Sequence, residues 1–192
     1  MIIGLGVILY AGWNIVEMKQ KEKENLAQAK EIVSQSSYNQ TNDTDIEETD
    51  QKDGRHYFNP EVGDVIGILH LPSIDAELPI IEGTNAEELA EGVGHYRDSA
   101  FPDENDQILL SGHRDTVFRR VGDIQAGDEL IIELPYGTFT YEMVSSKIVS
   151  ADDTSIIRST YPEEELVLST CYPFHFIGNA PDRYIIYAKR IK

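Results

Sequence analysis

The chain of 192 residues has one cysteine, one tryptophan and few basic residues, and it contains no internal repeat and no phosphate-cradling glycine motif. A lone cysteine, Cys171, cannot close an internal disulfide, and a structural zinc site would have to rely on histidines and carboxylates whose spacing here is poor. What remains for that thiol is a small buried hydrophobe or a reactive group, and free cysteine is among the most buried residue types. Positive charge is equally scarce. Sixteen basic residues stand against 34 acidic ones, for a net charge of −18, and residues 1–60 and 61–192 are both acidic, the second more so. Such a surface repels phosphate backbones and no basic stripe interleaved with aromatics is present, which excludes nucleic acid as a partner.

Long hydrophobic runs are missing as well. The uncharged, mostly apolar stretch Ile2 to Val16 has Tyr10 and Trp13 near its far end, where aromatic side chains settle at a membrane interface. As a helix it would extend about 22 Å, short against a hydrocarbon core of about 30 Å. No basic residue precedes it, and the charged run Glu17 to Glu24 separates it from Ala27-Gln28-Ala29, which resembles a cleavage box. A membrane anchor over residues 1–16 with the remainder outside the cell is the expectation, ahead of a cleaved signal or a buried helix. Residues 17–33, rich in Lys, Glu, Gln and Ala, suit a helix that extends the anchor. Residues 34–59, rich in Ser, Asn, Gln, Thr and acids, read as a disordered stalk, so that residues 17–60 form a helical then disordered acidic connection.

From residue 61 onward, apolar runs alternate with Gly, Pro, Asp and Asn. Val65 to Leu71, Glu77 to Ile81, Gln107 to Ser111, Glu129 to Leu134, Gly137 to Val149, Glu165 to Cys171 and Arg183 to Ile191 are predicted strands, with Leu134-Pro-Tyr-Gly137 as a hairpin turn. Helical signal is confined to Asn85 to Glu91 and Thr116 to Ile124, too little for regular βαβ units. The fold class expected for residues 61–192 is therefore all-β, a barrel or sandwich with one or two short helices.

Cys171 ends one predicted strand just before Tyr172-Pro173, where a last side chain is exposed. A thiol near its ordinary pKa of about 8.5 needs a nearby base or positive charge to act as a nucleophile, and acyl transfer creates an oxyanion that needs fixed donors. Of the five histidines, His56 lies in the stalk and His70 within a strand run, leaving His95, His113 and His175. His113 sits where the strand Gln107 to Gly112 gives way to the polar Arg114-Asp115-Thr116, and His175 competes with it through proximity in sequence. For any single histidine a surface or hydrogen-bonded structural role is the commoner outcome. Arg183 opens the last predicted strand and would pair beside the strand of Cys171 if residues 172–182 form a hairpin-like loop. The bland alternative for it is a salt bridge with Asp182.

Taken together, Leu168-Ser-Thr-Cys171, Ser111-Gly-His-Arg114 and Arg183 resemble the motifs of sortases, the Gram-positive cysteine transpeptidases. Leu78-Pro79-Ile80 and a turn at Gly92-Val-Gly-His95 are similar to the rest of that catalytic domain, and the resemblance covers roughly residues 62–192. Cys171-Tyr-Pro-Phe174 and Gly178-Asn-Ala-Pro-Asp-Arg-Tyr184 most resemble the class D enzymes of spore-forming bacilli and clostridia. The resemblance implies a closed eight-stranded β-barrel. It implies that Cys171 attacks the Thr carbonyl of an LPxT-type sorting signal on a secreted protein, giving a thioacyl enzyme, and that His113 protonates the leaving amine and later deprotonates the incoming one. Arg183 would hold the substrate backbone and the oxyanion, with help from the Tyr172 amide. Thr170, Tyr172 and Ser111 are the substrate-binding candidates in the same motifs, and Asp115 reads as solvated or structural.

No cofactor is implied. Calcium, which some members bind, would have to use Asp152, Asp153, Glu163, Glu164 and Glu165, a charge run more simply read as a wet face. His56-Tyr-Phe-Asn-Pro60 does not match the Asp-Pro-aromatic lid of another class, which favours an open cleft. The implied partners are proteins bearing the sorting signal and a peptidoglycan cross-bridge or lipid-linked amine. Two other readings stay open: a cysteine endopeptidase that hands its acyl group to water, and a membrane-tethered binding barrel with Cys171 buried.

Overall fold

The computed structural model describes residues 2–42, 55, 57–176 and 178–191. Eight strands run from β1 (Val65–Leu71), β2 (Ala76–Glu82) and β3 (Val93–His95) through β4 (Gln107–Gly112), β5 (Glu129–Leu134) and β6 (Gly137–Ser150) to β7 (Glu165–Tyr172) and β8 (Asp182–Arg190). They close into a barrel in the order β1-β2-β3-β4-β7-β8-β6-β5. The expected seven strands are present within a residue or two of their predicted ends, and Leu134 and Gly137 face each other across the β5–β6 hairpin. β2–β3 and β4–β7 pair in parallel and the other neighbours antiparallel. Parallel neighbours need a crossover, supplied for β2–β3 by the helix α2 (Ala86–Glu91) and for β4–β7 by the β5–β6 hairpin. Asn85 caps α2, accepting from the Glu88 amide while its own N–H donates to the Glu88 carboxylate at 2.6 Å.

Two expectations about helices and strands are corrected. Val93–His95, read as part of a turn, is a three-residue strand, buried throughout. Thr116 to Ile124 is a series of turns with a short 3-10 segment at Val121–Asp123, not an α-helix.

Inward residues alternate along the strands and fill the barrel: Leu69, Leu71, Ile80, Ile108, Leu110, Leu130, Ile132, Tyr141, Leu166, Leu168 and Ile186 among them. A smaller core lies on the outside, where Leu109, Val167 and Ile185 are covered by Val149 and Ile156. The connection from β6 to β7 is stapled there by the buried Gln107, whose Nε2 donates to Ile156 O at 3.0 Å and whose Oε1 accepts from the Arg158 amide at 3.2 Å.

One helix, α1, runs without a break over Ile2–Asn42. It does not project away from the domain. Ala29 and Val33 are buried as it packs against β1, β2 and α2, Lys21 pairs with Glu91 at 2.9 Å, Asn25 donates to Glu91 O at 3.3 Å and Lys30 pairs with Glu77. The helix also passes the point near Ser34 where a disordered stalk is expected. The far end of that stalk differs too: Arg55 lies over the Phe101 ring, and Phe58 packs edge-on against Phe101 and Tyr136. The acidic run from Asp43 to Asp53, and His56, lie outside the described residues. Among the described residues no helix is long and apolar enough to cross a membrane.

Candidate active site

Side chains on a strand alternate between faces, and β7 sorts its residues accordingly. Leu166, Leu168 and Thr170 turn into the barrel; Val167, Ser169 and Cys171 share the outer face. β4 and β7 run in parallel with Ile108↔Leu166, Ser111↔Ser169 and Gly112↔Thr170 in register. The next residue on each strand, His113 and Cys171, therefore leaves the barrel at the same end. On the other flank, Cys171 stands directly opposite Arg183 of antiparallel β8. Such opposed residues have Cβ atoms about 5 Å apart on one face.

Three residues distant in sequence thus line one cleft of about 340 Å³, walled further by Arg114, Asp115, Gly178, Asn179 and Ala180. Cys171, His113 and Arg183 are each half-buried, reachable from solvent yet held. His113 is fixed by its own backbone, since its carbonyl accepts from the Phe118 amide at 3.0 Å and the Thr116 amide at 3.4 Å. Gly112 makes that turn feasible: a Cβ there would meet side-chain atoms of Phe118 and Val117 at 2.7 and 2.8 Å. Arg183 makes no ion pair among the described residues; its Nη1 donates to the carbonyls of Asp182 at 3.0 Å and Ala180 at 3.4 Å. The expected bland alternative, a salt bridge to the Asp182 carboxylate, is replaced by a bond to the main chain.

The remaining candidates are placed elsewhere. Thr170 is 3% exposed and its hydroxyl donates to Gly112 O at 2.7 Å, clasping β7 to β4 from inside the barrel. Tyr172, on the same parity, packs at the barrel mouth with Phe174 and Tyr184 at ring distances of 5.6 and 6.2 Å. Ser111 lies half-buried on the face of Cys171, opposite Ser169. His175 is exposed and lines a neighbouring groove with Met18, Arg119 and Phe174, away from the cysteine. His95 is 1% exposed, bonded to the Glu82 carboxylate at 2.7 Å and stacked on Phe101, and His70 pairs with Glu133 at 2.8 Å. Asp115 is exposed.

The acids named for calcium are spent on protein partners. Glu164 accepts from Tyr141 and Arg190, Asp153 from the Ser155 amide, Asp152 from Ser150, while Glu165 and Glu163 pair with Arg158 and Lys189. Among the described residues no three metal-ligating side chains converge. Sequence reasoning did not find Arg114, whose guanidinium reaches the β7–β8 loop, or Gln107, which anchors the loop before β7. The only signal for Arg114 was its place beside His113.

Comparison with known proteins agrees with this geometry. Sortase D of Bacillus subtilis strain 168 is 50% identical over 192 residues, covering 99% of this chain and 96% of that protein. Sortase SrtE1 of Streptomyces coelicolor is 28% identical over 131 residues, 59% of this chain and 37% of that protein. The structure of a Clostridium perfringens Sortase D5 transpeptidase superimposes with a TM-score of 0.70 at 27% identity, covering 90% of this chain and 99% of that one. The family description "Sortase domain" matches residues 69–191, a span that runs from the last residues of β1 through β8 and takes in the cleft at the barrel rim. With that match and a relative half identical along its whole length, the chain belongs to the sortase family of cysteine transpeptidases.

Proposed function

We propose that this enzyme cleaves an LPxT-type sorting signal after its threonine and joins the threonine carboxyl to a cell-wall amine. Cys171 Sγ attacks the threonine carbonyl, forming the S–C bond as the C–N bond breaks. The leaving amine takes its proton from His113. An incoming amine then attacks the thioester, loses its proton to His113 and releases the thiolate, so the imidazole ends as it began. Arg183 offers N–H donors to the substrate carbonyls and the oxyanion, and the Tyr172 amide adds one more.

The observation that carries this reading is the strand register: Cys171 opposite Arg183, with His113 one residue beyond the Gly112–Thr170 pair. The match of the cleft-bearing domain to sortases supports it, and the uncharged stretch Ile2 to Val16 supports a membrane-facing start with the barrel outside the cell.

The test is a peptide library carrying LPxT-type signals, incubated with the full chain and candidate amines and analysed by mass for the cleaved bond and the adduct. An amide at the threonine carboxyl is expected; free acid in its place, with amine in excess, would mean a hydrolase. Cys171→Ala should abolish cleavage while the barrel stays folded, and parental turnover in that variant would refute the mechanism.

A further inference from the structure

Arg114 has no part in the reaction as written above. Its Nη2 donates to two main-chain carbonyls of the loop between β7 and β8, Phe176 O at 2.7 Å and Gly178 O at 2.9 Å. Its Nη1 is closed off from solvent and has no hydrogen-bond partner among the described residues. Further along the loop, Ala180 O and Asp182 O accept from Arg183. Two arginines therefore brace one loop, whose residues Gly178, Asn179 and Ala180 form a wall of the cleft.

Two main-chain bonds also hold the loop, from the Ala151 amide to Pro181 O at 2.8 Å and from the Phe176 amide to Pro173 O at 3.2 Å. Phe174 packs on Tyr172 and Tyr184, while His175, Phe176, Gly178, Asn179 and Pro181, among the described residues of the loop, are exposed. A segment with few apolar contacts takes its conformation from its polar bonds. Gly178 has φ +99, in the left-handed region that glycine adopts freely, and its carbonyl, held by Arg114, lies two residues before the Ala180 carbonyl held by Arg183.

We infer that Arg114 is a positioning residue: by holding the Phe176 and Gly178 carbonyls it fixes the loop against which Arg183 is braced, and so sets where the Arg183 guanidinium stands over the thioester-forming carbon. This rests on the role proposed above for Arg183. Arg114 touches no reacting atom, so its influence must pass through Arg183 and be felt only by a substrate that Arg183 holds.

The experiment compares the full-length parent with Arg114→Gln, Arg183→Lys and the double variant. Three readouts are taken: kcat and KM for cleavage of an LPxT peptide, the rate of alkylation of Cys171 by iodoacetamide, and the thermal midpoint. Arg114→Gln should lose between about tenfold and a hundredfold in kcat/KM, the cost of a displaced positioning group. Its midpoint and its alkylation rate should stay parental, since a small neutral reagent needs no arginine. In the Arg183→Lys background the same substitution should cost less than about threefold, because residues that act as one unit are not additive. Gly178→Ala, which strains the loop without removing a donor, should lower kcat/KM in the same sense.

Parental kcat/KM in Arg114→Gln overturns the inference, as does an equal fold-loss in both backgrounds. If Arg183→Lys is itself parental, the role of Arg183 fails and the inference with it. If Arg183→Lys is impaired but the two losses multiply, only the role of Arg114 fails.

Discussion

Gly112 is the last residue of β4 and the one before His113, and replacing it with alanine should damage stability and turnover together. The added Cβ would lie 2.7 and 2.9 Å from two ring carbons of Phe118 and 2.8 Å from a methyl of Val117. Carbon atoms rest at about 3.5 to 4.0 Å, so one side must give way by about 1 Å. Phe118 is fully buried and Val117 is 8% exposed, which leaves the side chains little room to retreat. Overpacking of this kind costs about 1 to 3 kcal/mol, and for a domain of this size 2 kcal/mol lowers the thermal midpoint by about 6 °C. Any part of the strain relieved by moving the end of β4 shifts His113 as well, and a 1 Å misplacement in an active site can cost about a hundredfold in rate. The assays are a urea or thermal midpoint and cleavage of an LPxT peptide. Phe118→Leu should rescue in part, because it removes the ring that supplies two of the three contacts, so the double variant should be more stable than the sum of the singles by on the order of 1 kcal/mol. A Gly112→Ala variant with parental midpoint and parental cleavage, or a double variant with fully additive losses, refutes the reasoning.

Further outcomes are expected elsewhere. Thr170→Val keeps the shape of a buried side chain but removes the bond to Gly112 O, so the unfolding free energy, measured in urea, should fall by the worth of one hydrogen bond, about 1 kcal/mol; unchanged stability with impaired peptide cleavage would return Thr170 to the substrate. Glu164→Gln should destabilise by about 2 kcal/mol, measured in urea, because that carboxylate, 7% exposed, serves Tyr141, Arg190 and the Asp103 amide at 2.6 to 2.8 Å; no loss would mean the cluster is ornamental. Asp106 is pushed up by burial, but hydrogen bonds from the Thr160 and Gln107 amides and the Ser159 hydroxyl outweigh this and hold it below the ordinary carboxylate range. A lowered pKa contributes stability that is present above the unfolded value of about 3.9 and lost as pH falls through the folded one. The stability lost between about pH 6 and about pH 3 should therefore be smaller in Asp106→Asn than in the parent, and an equal loss would show that this carboxylate is not linked to folding.

Much of the barrel was legible because its strands are short apolar runs set between Gly, Pro and Asp, and such runs have few other ways to bury themselves. Val93–His95 escaped because three residues, preceded by one glycine and centred on another, carry no period. The length of α1 escaped for a different reason. Ser, Asn and Thr after residue 33 are weak helix formers, but extending a helix that is already nucleated costs little, and Ala29 and Val33 had by then docked it on the barrel.

The site divides along the same line. Cys171, His113 and Arg183 were legible as residue types at strand ends, and register alone then brings them to one cleft. Thr170 and Tyr172 were grouped with them by nearness in sequence, but nearness ignores the side of the strand; Ser111, paired with Ser169, does share the face of Cys171. A strand with one wet face would have revealed its parity through alternating polarity. In β7 that signal is erased, because Leu166, Val167 and Leu168 are all buried, the first and third by the barrel and the second by Ile156 and its loop. Parity reappears only where the outer cover ends, at Ser169, and by then just two residues remain before Tyr172. The cover that hides the alternation is also what makes the cleft: the outer core stops short of Cys171, so its sulfur is the first outward side chain on β7 beyond Ser169 to meet open space beside Arg183.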